Sequence, residues 1–433
     1  VGKVGNVTYE ELATYQPTKG IFVNGENSYG MQAGGQSTAN NTSTGVIVVN
    51  GANSYGMATT GTTIGSKTYY GTANNDGIII VQNADSQAMY ADGGIIQNTE
   101  NGMIYTNGQY GMYVHAGQGN NTGLIQNING GSADTPFVAM HSDAGSLTNE
   151  GHIKLDGDYS IGMEATGNSS ATNSNKESEI EVNGENSIGM SASGAMSTAT
   201  NNGKISVAQS NSYAMQADNG GTITNAGTIS SEGDVLMNVL NGSGINEGDM
   251  EITDNAIGID VVSGSGSNTG NMNIKGMNAT GIQVTTGSGS NTGTMSVSGT
   301  SASGMNANNG GATVTNSSDG TISVKGSQAA GLKTNGGTAI NEGAISVSST
   351  DGYAMYADNG GTIKNTSEAT IQTAGSSAMY ANVGNIINEA DLTSSNNNFK
   401  ALYVAQSGNV NNSGDIKLTG TSSSAIYVAG GAN

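Results

Sequence analysis

The chain of 433 residues has no cysteine, no tryptophan and no arginine, and only 2 prolines and 3 phenylalanines. Zero cysteine excludes a disulfide scaffold and any thiolate metal site. With 12 lysines against 33 acidic residues the formal net charge is −21. No basic stripe for a phosphate backbone can be drawn from that balance, so nucleic acid is not an expected partner. The same charge opposes anionic membrane surfaces, and no run of about 18 apolar residues exists to cross a bilayer, so no membrane insertion is expected of this segment. So few bulky apolar side chains do not make an ordinary globular core. Taken alone, low hydrophobicity with high charge describes disorder.

What is present is spacing. The phrase Tyr213-Ala-Met-Gln-Ala-Asp-Asn-Gly-Gly-Thr-Ile-Thr-Asn225 returns as Tyr353-Ala-Met-Tyr-Ala-Asp-Asn-Gly-Gly-Thr-Ile-Lys-Asn365, and in weaker form over Ala88 to Asn98 and Ser303 to Gly311. Aligned on the apolar residue of the Met-x-Ala arm, the units give seventeen positions from Met31 to Ile426, spaced 22 to 32 residues apart. Each unit carries three short arms. Gly-x-Ile-x-Val, as at Ile153 to Leu155 and Ile180 to Val182, alternates with the period of a strand. Met-x-Ala places Met and the following Ala or Val inward, and Thr-Ile-x-Asn ends on a recurrent asparagine, including Asn149, Asn225, Asn246, Asn268, Asn291, Asn341 and Asn412. Gly-Gly and Asn-Gly pairs supply the corners between arms.

Arms of three to five residues are too short for helices and too regular for hairpins. They predict an all-β chain, a three-sided parallel β-helix (β-solenoid) of about 17 rungs, stacked at about 4.8 Å per layer into a rod roughly 80 Å long. The asparagines are expected to form an internal ladder, each amide bonding the next. Residues 1–20 do not match the repeat and read as an entry segment or decayed rung; residues 21–433 read as the β-helix. Val1 to Glu10 has no apolar signal-peptide core and Ala429 to Asn433 has no polar cap, so the chain is expected to continue beyond both ends. Longer spacings locate insertions at Thr59 to Asn75, which contains Lys67, Tyr69 and Tyr70, and at Gly130 to Pro136 and Ser169 to Ser178.

Catalytic patterns are sparse. His115, His141 and His152 fall on different arms and read as surface histidines, with no nucleophile turn beside them. Asp156-Gly-Asp158 lacks the context of a calcium loop, so neither a metal nor a cofactor is expected. The acids are scattered over corners and no arginine accompanies them, against the paired carboxylates of a polysaccharide-cleaving enzyme. No catalytic residue is assigned and the chain is expected not to be an enzyme.

The outward position directly after the Met is the conspicuous one. It reads Tyr356, Tyr380, Tyr403 and Tyr427 in the last four coils, a candidate ligand-binding aromatic ladder, and Tyr90, Tyr113 and His141 in a second, weaker patch. Tyrosine offers rigid apolar area and a hydroxyl, and its face can stack on a sugar ring. Stacked tyrosines also stabilise a sheet by about 0.2–1 kcal/mol per cross-strand pair, which is the alternative role. A second set, two residues before the Met, holds Tyr29, Tyr55, Tyr110, Tyr213 and Tyr353; its exchange with Val138, Ile161, Ile188, Val235 and Ile257 predicts burial.

Gly-x-Ile-x-Val, Asn-Ser-Tyr-Gly-Met (Asn27 to Met31, Asn53 to Met57), Gly-Gly-Thr-Ile-x-Asn and Asn-x-Gly-x-Ile resemble the passenger repeats of large type V autotransporter adhesins, over about residue 21 to the end. The asparagine-rich, lysine-only, cysteine-free character is similar to the fusobacterial type, RadD-like or galactose-binding outer-membrane adhesins. The resemblance implies a right-handed β-helix displayed outside a Gram-negative cell by a C-terminal membrane barrel. It implies attachment to host-cell glycans or receptor proteins, or to surface structures of other bacteria. A passive stalk carrying its binding region elsewhere is the alternative, and a polysaccharide-degrading β-helix enzyme a more distant one. Absence of cysteine also fits an export route that threads the chain unfolded.

Overall fold

The computed structural model describes residues 17–127, 129–231 and 234–429. The proposed entry segment lies outside the described residues up to residue 16. Two compact units are formed, Val1–Gly233 and Asp234–Asn433. Among the described residues every regular element of both is a β-strand, so no helix is present that could cross a membrane.

In the first unit a coil reads His152–Leu155, Ser160–Ala165, Ser170–Asn173, and the next Glu179–Val182, Ile188–Ser193, Thr198–Asn201. These are the three predicted arms. Each pairs in parallel with its counterpart one coil on and keeps its register: Ile153 on Ile180, Met163 on Met190, Asn173 on Asn201. The second unit repeats the plan, with Asn271–Ile274, Thr280–Val284 and Gly287–Asn291 stacked on Thr294–Val297, Ser303–Ala307 and Ala312–Asn316. Stacked coils of this kind make the β-solenoid of about 17 turns that the repeat spacing predicts. In Gln87–Asn98, Tyr110–Asn121 and Ser377–Asn388 the second and third arms run on as one strand.

The core follows from the alternation. Met57, Met89, Met112, Met140, Met163, Met190 and Met215 lie one above another and are fully buried, as are Ile153, Ile180 and Val182 of the first arm. Each such side chain contributes about 1.5–3 kcal/mol by leaving water. The third arm closes the core with a polar column. In the first unit Asn41, Asn75, Asn98, Asn121, Asn149, Asn173, Asn201 and Asn225 are joined Nδ2 to Oδ1 at 2.7–2.8 Å. In the second, Asn246, Asn268, Asn291, Asn316, Asn341, Asn365, Asn388 and Asn412 are joined the same way at 2.8–3.0 Å.

Three features depart from the expectation. The residue before the Met also faces inward: Gly111 and Met112 are both buried, between half-buried Tyr110 and Tyr113. The register runs unshifted from Tyr110↔Val138 to Met112↔Met140 across that glycine, so both coils share the same break in alternation. A second buried column consists of serines at the corner before the second arm. Ser54 donates to the Gly25 carbonyl at 2.8 Å and accepts from the Ser28 N–H at 3.0 Å; Ser187 and Ser212 repeat the acceptor role toward Ser160 and Ser187. In the second unit alanines Ala256, Ala279, Ala302 and Ala329 occupy this column. The corner itself is turned by asparagine as well as glycine: Asn27, Asn53, Asn186 and Asn278 have φ of 51°, 49°, 53° and 56°, a left-handed conformation that asparagine tolerates.

Of the insertions, Thr59 to Asn75 contains a hairpin in which Tyr55–Ile64 turns back antiparallel onto Lys67–Tyr70. The Tyr70 ring occupies the space that a Cβ at Gly93 would need, which fastens the hairpin to the next coil. Ser169 to Ser178 is no excursion; it holds the ordinary third arm Ser170–Asn173 and a turn closed by Ser178 on Asn175.

Replacing Asn291 by alanine tests the ladder. It removes an acceptor for Asn268 and a donor for Asn316 inside the core, an expected loss of about 2–4 kcal/mol. The exposed Asn271→Ala change should cost no more than about 0.5 kcal/mol. Amide hydrogen exchange in the flanking strands Gly264–Asn268 and Ala312–Asn316 reads both; equal protection in the two variants would remove the ladder as a source of stability.

Candidate functional site

The second arm is the wall that carries the candidate residues. The break in its alternation decides where they point, because the residue two before the Met and the residue after it flank two inward residues and share the outer side. Tyr29 is 43% exposed, and Tyr55, Tyr110, Tyr213 and Tyr353 are half-buried. The expectation that this set is buried is therefore corrected. Of the aliphatic residues at the same place, Val138 and Ile161 are buried as expected, whereas Ile188, Val235 and Ile257 are half-buried.

Two aromatic clusters result. In the second unit Tyr356, Tyr380, Tyr403 and Tyr427 are direct register partners in successive coils. Their ring centroids lie 5.4, 5.0 and 5.3 Å apart, close to the strand spacing. Tyr353 joins them at 5.3 Å from Tyr356 and 5.2 Å from Tyr380. The Lys400 ammonium sits over the rings of Tyr403 and Tyr427 at 4.2 and 4.3 Å. Tyr427 is 42% exposed, and the other three ladder rings are half-buried by their neighbours.

In the first unit the cluster is longer than the repeat register alone suggests. Tyr29, Tyr55, Tyr90 and Tyr113 follow at 5.1, 5.0 and 5.5 Å, and Tyr110 and Tyr113 each approach the His141 ring, at 5.1 and 5.0 Å. His141 is only 9% exposed, its Nδ1 2.8 Å from Glu164, so it is a packed ring and not the surface histidine expected. Aromatic pairs of this geometry contribute about 0.5–1.5 kcal/mol each beyond area burial.

Burial, then the charges of Asp92 and Asp358 respectively, push the hydroxyls of Tyr90 and Tyr356 up to about 12. Burial and the hydrogen bond to Asp143 push Tyr113 up as well. All three stay neutral donors at physiological pH. Asp260, in the same outward slot, is raised by burial and partly offset by the Gln283 amide at 3.3 Å.

Each histidine has a carboxylate partner in the coil that follows it: His115 with Asp143 at 3.0 Å, His141 with Glu164 at 2.8 Å and His152 with Glu181 at 3.2 Å. His152, Glu179 and Glu181 bring one ligand atom each within 4.8 Å of one another on the first-arm sheet. Three half-buried groups on an open sheet, with no further buried ligand beside them, carry no metal assignment. Only the stacking register, which sets His152 on Glu179, brings this group together.

The hydrogen bond and charge of Asp143 raise the pKa of His115 above its ordinary 6.5. A raised pKa in the folded state means stability fully present below about 6.5 and lost as pH climbs through the folded value. An NMR titration of the His115 ring should give a midpoint above 6.5 that falls back toward it in Asp143→Asn; the same midpoint in both proteins would exclude the pair as the cause.

Residues 93–243 match the family described as BigA third pectate lyase-like domain. None of the curated proteins matches the chain. Over that stretch the chain is similar to the BigA domain, and the match together with the stacked coils fits a passenger β-helix region.

Proposed function

We propose that the chain is a non-enzymatic binding segment of a bacterial surface adhesin, displayed outside the outer membrane of a Gram-negative cell, that contacts glycans or proteins of host cells or of other bacteria through the outer face of its second arms. The observation that carries this reading is the column Tyr356, Tyr380, Tyr403, Tyr427, set in register on one sheet face, with Tyr427 42% exposed and the other three rings half-buried. Outside the two aromatic clusters this slot holds Gln, Asn, Ser, Ala, Glu, Asp or Lys and the coils stack without tyrosine there, which favours a contact role for the column. Similarity to the BigA domain and the solenoid architecture support the passenger part of the reading; the fusobacterial type rests on the repeat motifs alone.

A binding role also suits the chemistry better than catalysis. Each histidine is engaged by a carboxylate, the Tyr113 hydroxyl donates to Asp143 at 3.0 Å, and among the described residues no serine or threonine hydroxyl is paired with any of the three.

A passive stalk is the second reading, favoured by the packing of the rings on one another. Binding of the purified chain to epithelial cells and to partner bacteria separates the two. Tyr380→Ala with Tyr403→Ala should reduce binding several-fold while the melting temperature changes by only a few degrees; undiminished binding would sink the ladder as a contact surface. Deleting residues 257–279, one whole coil between equivalent positions, should leave a stalk's attachment intact with shorter reach. In a binding segment the same deletion should leave the tyrosine column and its binding in place only while coils 330 to 428 stay stacked, which limited proteolysis reads directly.

A further inference from the structure

The tyrosine column of the second unit begins abruptly, and the step at its start is a groove. Along the position two before the Met, the register runs Ser303, Ala330, Tyr353, so two small residues precede a large ring. Along the slot after the Met it runs Asn306, Lys333, Tyr356. Removing ring volume from two successive coils leaves a cleft of about 500 Å³ on the outer face, walled at one end by Tyr353 and Tyr356, floored by Asn306 and Lys333, and flanked by Asp351 and Asp358. Its size falls within the range of small-molecule sites.

Three observations say what such a cleft accepts. Asn306 is 8% exposed and its Oδ1 meets no donor of the protein, although buried amides are otherwise satisfied throughout the ladder. Lys333 is half-buried and forms no ion pair among the described residues, whereas Lys275 and Lys364 of the same unit hold Glu251 and Glu389 at 2.7 and 2.9 Å. Asp351 and Asp358 are held in place: Asp351 accepts from the Ser327 hydroxyl, and Asp358 accepts from the Asn359 N–H at 2.9 Å and the Asn382 amide at 3.2 Å. An unpaired acceptor, an unpaired ammonium and two fixed carboxylates need a ligand that both donates and accepts hydrogen bonds. The carboxylates, within a chain of charge −21, repel an anion, and the ammonium on the floor repels a cation. The ring wall asks for one apolar face.

We propose that this cleft is a binding site for a neutral saccharide, its apolar ring face laid against Tyr353 and Tyr356 and its hydroxyls shared among Asn306, Lys333, Asp351 and Asp358. The proposal deepens the adhesin reading and rests on it. Lys333 donates to ring or hydroxyl oxygens, the carboxylates accept from adjacent hydroxyls, and the buried oxygen of Asn306 gains the donor it lacks as the amide turns toward the sugar. Charged saccharides, sialylated, sulfated or uronate-bearing, are disfavoured at this place.

The test uses the whole chain on an array of neutral, sialylated and sulfated oligosaccharides, followed by titration of the strongest neutral ligand. Tyr356→Ala and Lys333→Met should each weaken binding about 5–10-fold, and Asn271→Ala, an exposed residue of a first arm, should leave it unchanged. Circular dichroism and melting confirm the fold of each variant; Lys333→Met removes no packed ring, so it keeps the test decisive where Tyr356→Ala melts early. Neutral sugars bound equally by Lys333→Met and the unaltered chain, or preference for the charged sugars, would overturn the cleft. Cell attachment with a blank array would overturn the cleft and leave the adhesin reading standing, and loss of both cell and sugar binding by the unaltered chain would overturn both.

Discussion

An asparagine amide inside a thin core gives one N–H to its own coil, as Asn291 does to the Gly293 carbonyl at 3.2 Å, and its other N–H and its oxygen are met by asparagines of the coils on either side. That requirement fixes the vertical register. Slipping one coil by a single residue would turn every inward side chain of its strands outward and take its asparagine out of the column, leaving the amides of the coils above and below unpaired in the core. Asn291, bonded at 2.8 Å in both directions, shows how little tolerance the arrangement has. Once the asparagines are in line, Met lies on Met in the first unit, Ile259 on Ile282 in the second, and whatever follows the Met lies on its counterpart. The aromatic columns are thus a consequence of a polar ladder on a different wall.

Most of this architecture was legible in the repeat. Inward Met and Ala, the three arms and the terminal asparagine need only strand alternation and recurrence, and Ala165, Ala217, Val261 and Ala357 are buried as that alternation requires. What strict alternation cannot see is its own interruption. With Gly111 and Met112 both inward, the parity of everything before the Met is reversed, and Tyr110 moves from the expected core to the outer face beside Tyr113. Exchange with Val and Ile misled because β-branched residues suit the outside of a sheet as well as the inside. The serine column was hidden for a related reason: Ser28, Ser54 and Ser187 sit in a turn, where serine is expected for local reasons, while its long-range bond to the neighbouring coil depends on the stacking. His141 looked exposed by slot and is covered by the two tyrosines that this interruption brings together.

Register also explains why the titratable pairs form across coils. His115 meets Asp143, 28 residues later, and Lys364 meets Glu389, 25 residues later, separations of one coil. In a stack each side chain has its closest company one repeat away, so a charge in one coil constrains the choice of residue in the next. Lys154, Lys176, Lys275 and Lys364 meet a carboxylate, whereas Lys333 meets none among the described residues and stands in register directly before Tyr356.

The same logic bears on where an array can recognise a ligand. A continuous column of rings at about 5 Å spacing spends most of its face area on itself, and an approaching molecule meets edges and hydroxyls. Full ring faces are left open only where a column ends. Tyr353 and Tyr356 are such an end, because Ala330 and Lys333 one coil earlier do not cover them. Repetition builds a surface whose members satisfy one another, and a break in the repetition leaves groups with unmet capacity: a bare ring, a lysine without a carboxylate, an amide without a donor. In a solenoid, binding capacity is therefore concentrated where the residue columns change identity, and the step from Ser303 and Ala330 to Tyr353 is a change that both the sequence and the packing display.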